Sequence, residues 1–116
     1  MRTIIAGTRT LTDYELVEAA VKASGFTITT VISGTARGID VLGERWAEEH
    51  GVPVERFPAD WEAHGKAAGA LRNREMVAVA EALIAVWDGV SRGTEDCIAE
   101  ARRRGLKVFV FRVAEH

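Results

Sequence analysis

Glycines, hydroxyl side chains and arginines are concentrated in four segments of this 116-residue chain. The segments are GTRT at 7–10, SGTARGID at 33–40, a longer stretch at 58–76 and DGVSRGTED at 88–96. Glycines let backbone N–H groups approach an oxyanion, hydroxyls donate hydrogen bonds, and each arginine offers a fork of N–H donors. A phosphate or pyrophosphate is the ligand class that best matches these residue types.

The candidate anion-binding residues could supply either a backbone cradle or a polar side chain. They are Gly7, Thr8, Arg9, Ser33, Gly34, Thr35, Arg37, Gly38, Arg72, Asn73, Arg74, Ser91, Arg92, Gly93 and Thr94. The alternative is that these glycines only permit tight strand-to-helix turns and that the arginines are solvated. Neither G-x-G-x-x-G nor the Walker pattern G-x-x-x-x-G-K-[ST] is present, so the cradle is of another type.

Acidic residues lie in or beside the same segments. They could bind ribose hydroxyls or act as a general base, and they are Asp40, Asp60, Glu75, Asp88, Glu95 and Asp96. The alternative for Asp88, Glu95 and Asp96 is a purely structural role at a helix N-terminus. Trp61 follows Asp60 and could cover a base or a partner subunit, or it could be buried as a lid over the core.

The elements that must position these residues alternate along the chain. Apolar and β-branched runs predict strands at 2–6, 28–33, 52–57, 82–87 and 107–112. The first helix is expected to begin with a capping box of Thr12 and Glu15 and to stop at Gly25. The second ends at Gly51, the third covers about 70–81, and the fourth ends at Gly105.

This alternation predicts an α/β fold over residues 1–116 as one domain. Near-continuous apolar strands imply a mostly parallel five-stranded sheet covered on both faces, which is a Rossmann-like, doubly wound three-layer sandwich. Ligands bind such sheets beyond the carboxyl ends of the strands. All four polar segments follow a predicted strand, so we expect them to meet at one edge of the sheet.

The composition argues against several classes of function. The formal charge of −2 gives no global attraction to nucleic acid, and no signal peptide or membrane span is evident, so a cytoplasmic protein is expected. Cys97 is the only cysteine; it excludes an internal disulfide and is expected to be a small core residue. No metal site is expected, because His50, His64 and His116 are scattered. No cofactor is expected either.

Five motifs in this order resemble the SLOG superfamily of Rossmann-like nucleotide-binding domains, specifically its small YspA/YpsA-like members. The motifs are GTR (7–9), SGTARGID (33–40), FPADW (57–61), AAGALRNREM (67–76) and WDGVSRGTED (87–96). The resemblance implies a nucleotide-type ligand. It also implies a homo-oligomer, a dimer or tetramer, in which Met76 and Trp61 could serve an interface.

Superfamily members of the Lonely Guy type are phosphoribohydrolases that release the base from nucleoside 5′-monophosphates. RNREM (72–76) resembles part of their signature, which implies a catalytic role for Arg72 and a substrate contact for Glu75. SRGTED (91–96) resembles the remainder and puts Asp96 at the place of their catalytic glutamate. The departures are Asp88-Gly89-Val90 in place of Pro-Gly-Gly, one extra loop residue, and an aspartate in place of the glutamate.

These observations support three hypotheses. The leading one is binding of a nucleoside monophosphate or an NAD/ADP-ribose-like ligand, because the departures do not weaken a phosphate cradle. The alternative is phosphoribohydrolase activity. The third, single-stranded nucleic-acid binding as in the related DNA-processing protein A domain, is least favoured, because the chain is net acidic.

Overall fold

A computed structural model describes residues 1–114 of the chain. It contains a five-stranded sheet in the order β3-β2-β1-β4-β5, and all neighbouring strands are parallel. The strands are β1 (Arg2–Gly7), β2 (Thr30–Ser33), β3 (Val54–Arg56), β4 (Ala82–Trp87) and β5 (Lys107–Arg112). The chain moves outward from β1 to β3, then returns to β4 on the other side of β1. The winding direction therefore reverses between β1 and β4.

Helices connect the strands. They are α1 (Tyr14–Ser24), α2 (Ile39–Glu49), α3 (Trp61–His64), α4 (Ala68–Val79) and α5 (Arg92–Arg103), with a 3₁₀ turn at Gly65–Ala67. Helix α1 ends at Gly25, whose φ of 69° is left-handed. No helix within residues 1–114 has the length and apolar character needed to cross a membrane.

Helices cover both faces of the sheet. On one face Ile4 and Leu83 pack in a cluster with Met76 of α4 and Cys97 of α5. On the opposite face the neighbouring strand residues pack with helices α1 and α2, in a cluster that includes Ile5, Val17, Ile39 and Ile84. Successive strand residues point to opposite faces, so strands buried on both sides must be continuously apolar. The three-layer, doubly wound, Rossmann-like fold expected from the sequence is confirmed.

Several local predictions need correction. Asp13, not Thr12, is the N-cap of α1, because its carboxylate accepts a hydrogen bond of 3.0 Å from the Glu15 N–H. Strands β2 and β3 are shorter than expected, and the short helix α3 was not anticipated. Helix α4 begins and ends two residues before its predicted bounds. His116, one of the histidines considered for a metal site, lies outside the described residues.

Candidate functional site

A cleft of about 410 Å³ opens where β1 and β4 end, at the reversal of the winding direction. Helices α4 and α5 form its walls, and the end of β1 forms part of its floor. Its polar lining comprises Arg9, Asp40, Lys66, Arg72, Asn73, Ser91, Arg92, Thr94 and Asp96, beside Gly7, Gly93 and Trp61. Two of the four polar segments, 58–76 and 88–96, therefore contribute several residues each to this cleft, while 33–40 contributes Ala36 and Asp40 and 7–10 contributes Gly7 and Arg9.

A second cavity of about 510 Å³ adjoins the first. It lies over the segment that follows β2 and is lined by Gly34, Thr35, Arg37, Pro58 and Ala59, together with four residues that also line the first cleft. The shared residues are Arg9, Ala36, Trp61 and Arg72. The two cavities therefore meet at a boundary that carries two guanidinium groups.

Close packing at two glycines shapes the floor. A Cβ at Gly7 would lie 2.1 Å from the Val86 carbonyl oxygen and 2.8 Å from Ile39, so only glycine lets the end of β1 pass between β4 and α2. Gly38 has a φ of 79°, and a Cβ there would lie 2.5 Å from the Arg9 carbonyl oxygen. The two glycines bring the segments after β1 and β2 together.

Hydrogen bonds fix the segment after β2. The buried Ser33 hydroxyl donates to Glu44 Oε2 at 2.6 Å and accepts from the Thr35 N–H at 3.1 Å. Thr35 itself has a left-handed φ of 63°, which is uncommon for a residue other than glycine. Ser33 therefore holds the turn in shape from beneath, while Thr35 and Arg37 line the second cavity.

Arg72 reaches across from α4 to this turn. Its Nη1 donates to the Gly34 carbonyl oxygen, and its Nε donates to Asn73 Oδ1 at 3.0 Å. Both acceptors are neutral. Within residues 1–114, no carboxylate lies at ion-pair distance from the cleft arginines, which are Arg9, Arg37, Arg72 and Arg92. The Asp40 carboxyl group, whose pKa the Arg72 and Arg9 charges lower without forming an ion pair, offsets part of this positive charge, and the rest is available to an anion.

Asn73 connects the two walls of the cleft. Its Nδ2 donates to Asp96 Oδ2 at 3.0 Å and to the Gly93 carbonyl oxygen at 3.3 Å, while its Oδ1 accepts from Arg72. The side chain is buried. Asn73 therefore fixes the position of Arg72 on α4 relative to Asp96 and the first turn of α5.

Asp40 is a buried acid in the wall of the cleft, with 4 % of its surface exposed. Burial raises the pKa of its carboxyl group to about 6, although the Arg72 charge, the N–H groups of Ala36 and Gly7, and the Arg9 charge favour ionisation. The Ala36 N–H donates to Asp40 Oδ2 at 3.3 Å. The cleft thus contains a carboxyl group that titrates near neutral pH.

A family model described as YspA, cpYpsA-related SLOG family matches residues 1–64, more than half of the chain. The chain belongs to this SLOG family. The Gene 61 protein of Mycobacterium phage D29 is 46% identical to it over 87 residues, which are 70% of each protein.

The chain is also similar in fold to a solved structure. DNA processing protein A from Streptococcus pneumoniae superposes with a TM-score of 0.73 at 16% identity, over 94% of this chain and 49% of that one. The chain therefore spans about half the length of that protein. At this identity the likeness shows a shared fold.

In this SLOG domain, Asp88 and Thr8 stabilise the turn after β4 and line neither cavity. Asp88 Oδ1 accepts from the Val90 and Ser91 N–H groups, both at 2.8 Å, and these bonds hold the pKa of its carboxyl group below the ordinary value. The buried Thr8 hydroxyl accepts from the Asp88 N–H at 3.2 Å. The two residues therefore fix the turn that precedes α5 and hold the first turn of this helix beside the cleft.

Trp61 is not a lid over the core. Its side chain is 51 % exposed at the boundary of the two cavities, and Arg9 Cζ lies 5.8 Å from its ring centroid. Asp60 caps α3 by accepting from the Ala63 N–H at 3.0 Å. Met76, proposed for an interface, is 1 % exposed in the core, where it contributes to the inner wall of the cleft.

Thr8, Ser33, Gly38, Asp60 and Asp88 line neither cavity but fix the segments around them, three further candidates point to solvent, and one polar lining residue was missed. Arg74 and Glu75 are exposed on α4, and Glu95 is exposed on α5. Lys66 lines the cleft but was not singled out, although its position in the polar segment after β3 was a usable signal. Cys97 also lines the cleft, but burial raises the pKa of its thiol to about 12, so it stays protonated and is a poor nucleophile. No group suited to a metal ion occurs within residues 1–114.

Proposed function

We propose that this SLOG domain binds a nucleotide or nucleotide-derived ligand in the cleft between α4 and α5. One observation carries the proposal: Arg9 and Arg72 converge on the cleft without a carboxylate partner among residues 1–114. An arginine fork suits a phosphate, because two parallel N–H donors match its oxygens. An anion at this place would form the ion pairs that neither arginine makes with Asp40, the nearby carboxyl group.

The start of α5 adds a second source of attraction for the phosphate. Ser91 is the N-cap of this 12-residue helix, and Gly93 and Thr94 in its first turn line the cleft. Unpaired N–H groups and the helix dipole favour an anion at such a terminus. We therefore assign the phosphate to the space beside Arg72, on the side that faces this turn.

The nucleoside part would contact the apolar lining. Trp61 presents an exposed ring, and Ala70 and Met76 contribute apolar surface beside it. Stacking on an aromatic ring stabilises any base by about 1–3 kcal/mol, so this contact would not discriminate strongly between bases.

Differential scanning fluorimetry against AMP, NAD, ADP-ribose and cyclic derivatives tests the proposal. A ligand present at about 100 times its Kd should stabilise the fold by about 2.7 kcal/mol, which raises Tm by several degrees. Inorganic phosphate should compete with the bound ligand, measured by isothermal titration calorimetry. An unchanged Tm with every ligand would refute the proposal.

A second candidate function is cleavage of the N-glycosidic bond of a nucleoside 5′-monophosphate. The hydrogen bonds that join Arg72 to Asn73 and Asn73 to Asp96 favour this function, because they hold a guanidinium and a carboxylate in one cleft. The arginine would hold the phosphate, while the carboxylate would stabilise an oxocarbenium-like ribose and orient water.

Chromatographic detection of free base from AMP and related monophosphates tests this second function. Asp96→Asn should abolish base release while retaining ligand binding, because the amide keeps the size of the side chain. Base release that persists in Asp96→Asn would show that Asp96 is not the catalytic carboxylate of this reaction.

A further inference from the structure

The two adjoining cavities define a cleft with two halves. The α5 half, of about 410 Å³, lies against Asn73, Thr94 and Asp96, and the β2 half, of about 510 Å³, lies against Thr35 and Arg37. Cavities of roughly 300–1,000 Å³ are typical of small-molecule sites, so each half alone has room for a nucleoside-sized group.

The two halves meet at residues that bind anions. Arg9 and Arg72 line both, and neither has an ion-pair partner within the described part of the chain. Arg72 is held there by the Gly34 carbonyl oxygen and Asn73, whereas Arg9 lies near the Trp61 ring. An anion attracted by both arginines would therefore lie at the middle of the cleft and not at one end.

Each half also has polar groups of its own beyond this boundary. The α5 half presents Thr94 and the Asp96 carboxylate. The β2 half presents Thr35 and the exposed Arg37, which has no carboxylate at ion-pair distance among residues 1–114. A ligand with a terminal phosphate at the boundary would fill one half and leave the groups of the other half without a ligand contact.

We propose that the ligand carries substituents on both sides of its phosphate, as a diphosphate-linked nucleotide does, with the phosphates between Arg9 and Arg72. This inference rests on the proposed nucleotide binding and specifies its ligand class. One substituent occupies the α5 half beside Thr94 and Asp96, and the other occupies the β2 half beside Thr35 and Arg37. An oligonucleotide also has internal phosphates, but a net charge of −2 gives the chain no global attraction to such a strand.

Isothermal titration calorimetry with AMP, ADP, ADP-ribose and NAD tests the proposal on the full chain. ADP and ADP-ribose share the adenosine diphosphate group, so their comparison isolates the second substituent. We expect ADP-ribose and NAD to bind about tenfold more tightly than AMP or ADP, because their second sugar gains hydrogen bonds in the β2 half.

Arg37→Ala should lower the affinity for ADP-ribose by about tenfold and leave that for AMP unchanged, because AMP does not reach the β2 half. Arg74→Ala is the matched control: it removes the same charge from the exposed side of α4, outside both cavities, and should change neither affinity. Circular dichroism and Tm confirm that both variants are folded.

The outcomes separate this inference from the proposed function. If ADP binds as tightly as ADP-ribose, or if Arg37→Ala weakens AMP and ADP-ribose equally, the two-sided ligand is refuted while nucleotide binding stands. If no nucleotide binds, both fail. Tight, salt-sensitive binding of a single-stranded oligonucleotide that depends on Arg37 would replace the small-molecule ligand with nucleic acid.

Discussion

Arg2 and Arg72 carry the same charge at opposite edges of one sheet, but their partners differ. At the amino-terminal edge, Arg2 donates to both Glu55 oxygens at 2.9 and 2.6 Å and to the Val79 carbonyl oxygen at 2.8 Å. At the carboxyl edge, Arg72 has only neutral acceptors, Gly34 and Asn73. The fold pairs an arginine directly with a carboxylate where the arginine has a structural role and leaves one without an ion pair where the cleft opens.

The glycines at the two edges differ in the same way. Gly25 and Gly105, which follow helices at the amino-terminal edge, have open space where a Cβ would be. A Cβ at Gly7 or Gly38, by contrast, would clash with the backbone of a neighbouring segment. At the amino-terminal edge glycine therefore ends helices, whereas at the carboxyl edge it lets two segments of the chain approach each other closely.

The largest effect is expected from Gly38→Ala compared with Gly25→Ala. Both glycines have a left-handed φ, of 79° and 69°, so both substitutions introduce backbone strain. Only the methyl group at residue 38 also meets Arg9, at 2.5 Å. We expect Gly38→Ala to lower the free energy of unfolding by about 3 kcal/mol and Gly25→Ala by about 1 kcal/mol.

Urea denaturation with fluorescence detection measures both losses. The m-value should stay constant, so that the shift in the midpoint reports stability alone. Equal losses in the two variants would show that the close approach of Gly38 to Arg9 has no energetic importance, and would remove one contrast between the edges.

The next effect is the pH dependence of stability. Asp40 is buried in the cleft wall and its pKa is raised from 3.8 to about 6, whereas the Arg2 charge and its hydrogen bond lower the pKa of Glu55 at the other edge. Between about pH 4 and pH 6 the folded state retains a proton on Asp40 that the unfolded state has released. This contribution to stability is therefore present below pH 4 and is lost as pH rises through 6.

Asp40→Asn should remove this dependence. The variant should be more stable than the wild type by about 3 kcal/mol at pH 8 and no more stable at pH 4, as measured by urea denaturation across that range. Glu55→Gln is the control and should act with the opposite sign, by lowering stability at pH 8. If the stability of the wild type depends on pH in the same way as that of Asp40→Asn, ionisation of Asp40 does not destabilise the folded state.

The strands were predictable because burial on both faces forces continuous apolar runs. The run at 82–87 matches β4 residue for residue, and the one at 107–112 matches β5. The N-cap of α1 was predicted one residue too early, because Thr12 and the adjacent Asp13 are both residue types that suit an N-cap. The short helix α3 has too few residues for a periodic pattern, so sequence reasoning could only assign it to a polar segment.

The sequence predicted at which edge of the sheet the site lies, but it did not predict the contacts between the site residues. Arg72 and Arg74 are equivalent as residue types. Met76, however, lies on the buried face of α4 that lines the cleft, and positions three and four residues before it share that face, so residues 72 and 73 point toward the cleft, whereas residue 74 is only two positions from Met76 and does not. Helical periodicity could have separated the two arginines. It could not have identified Asp88 as a turn residue, because that depends on which N–H groups surround its carboxylate.

The smallest effect, and the most direct test of the contrast between the edges, comes from removing one arginine at each. Arg72→Ala should weaken nucleotide binding by about tenfold, because the half-buried guanidinium would otherwise donate charge-assisted hydrogen bonds to the phosphate. Arg2→Ala should leave the affinity unchanged and lower the Tm of the free protein, because it breaks the pair with Glu55. Calorimetric titration and thermal melts of both variants measure the two quantities side by side. If Arg2→Ala weakens binding as much as Arg72→Ala does, the affinity depends on the overall charge and not on the cleft, and the two edges do not have separate roles.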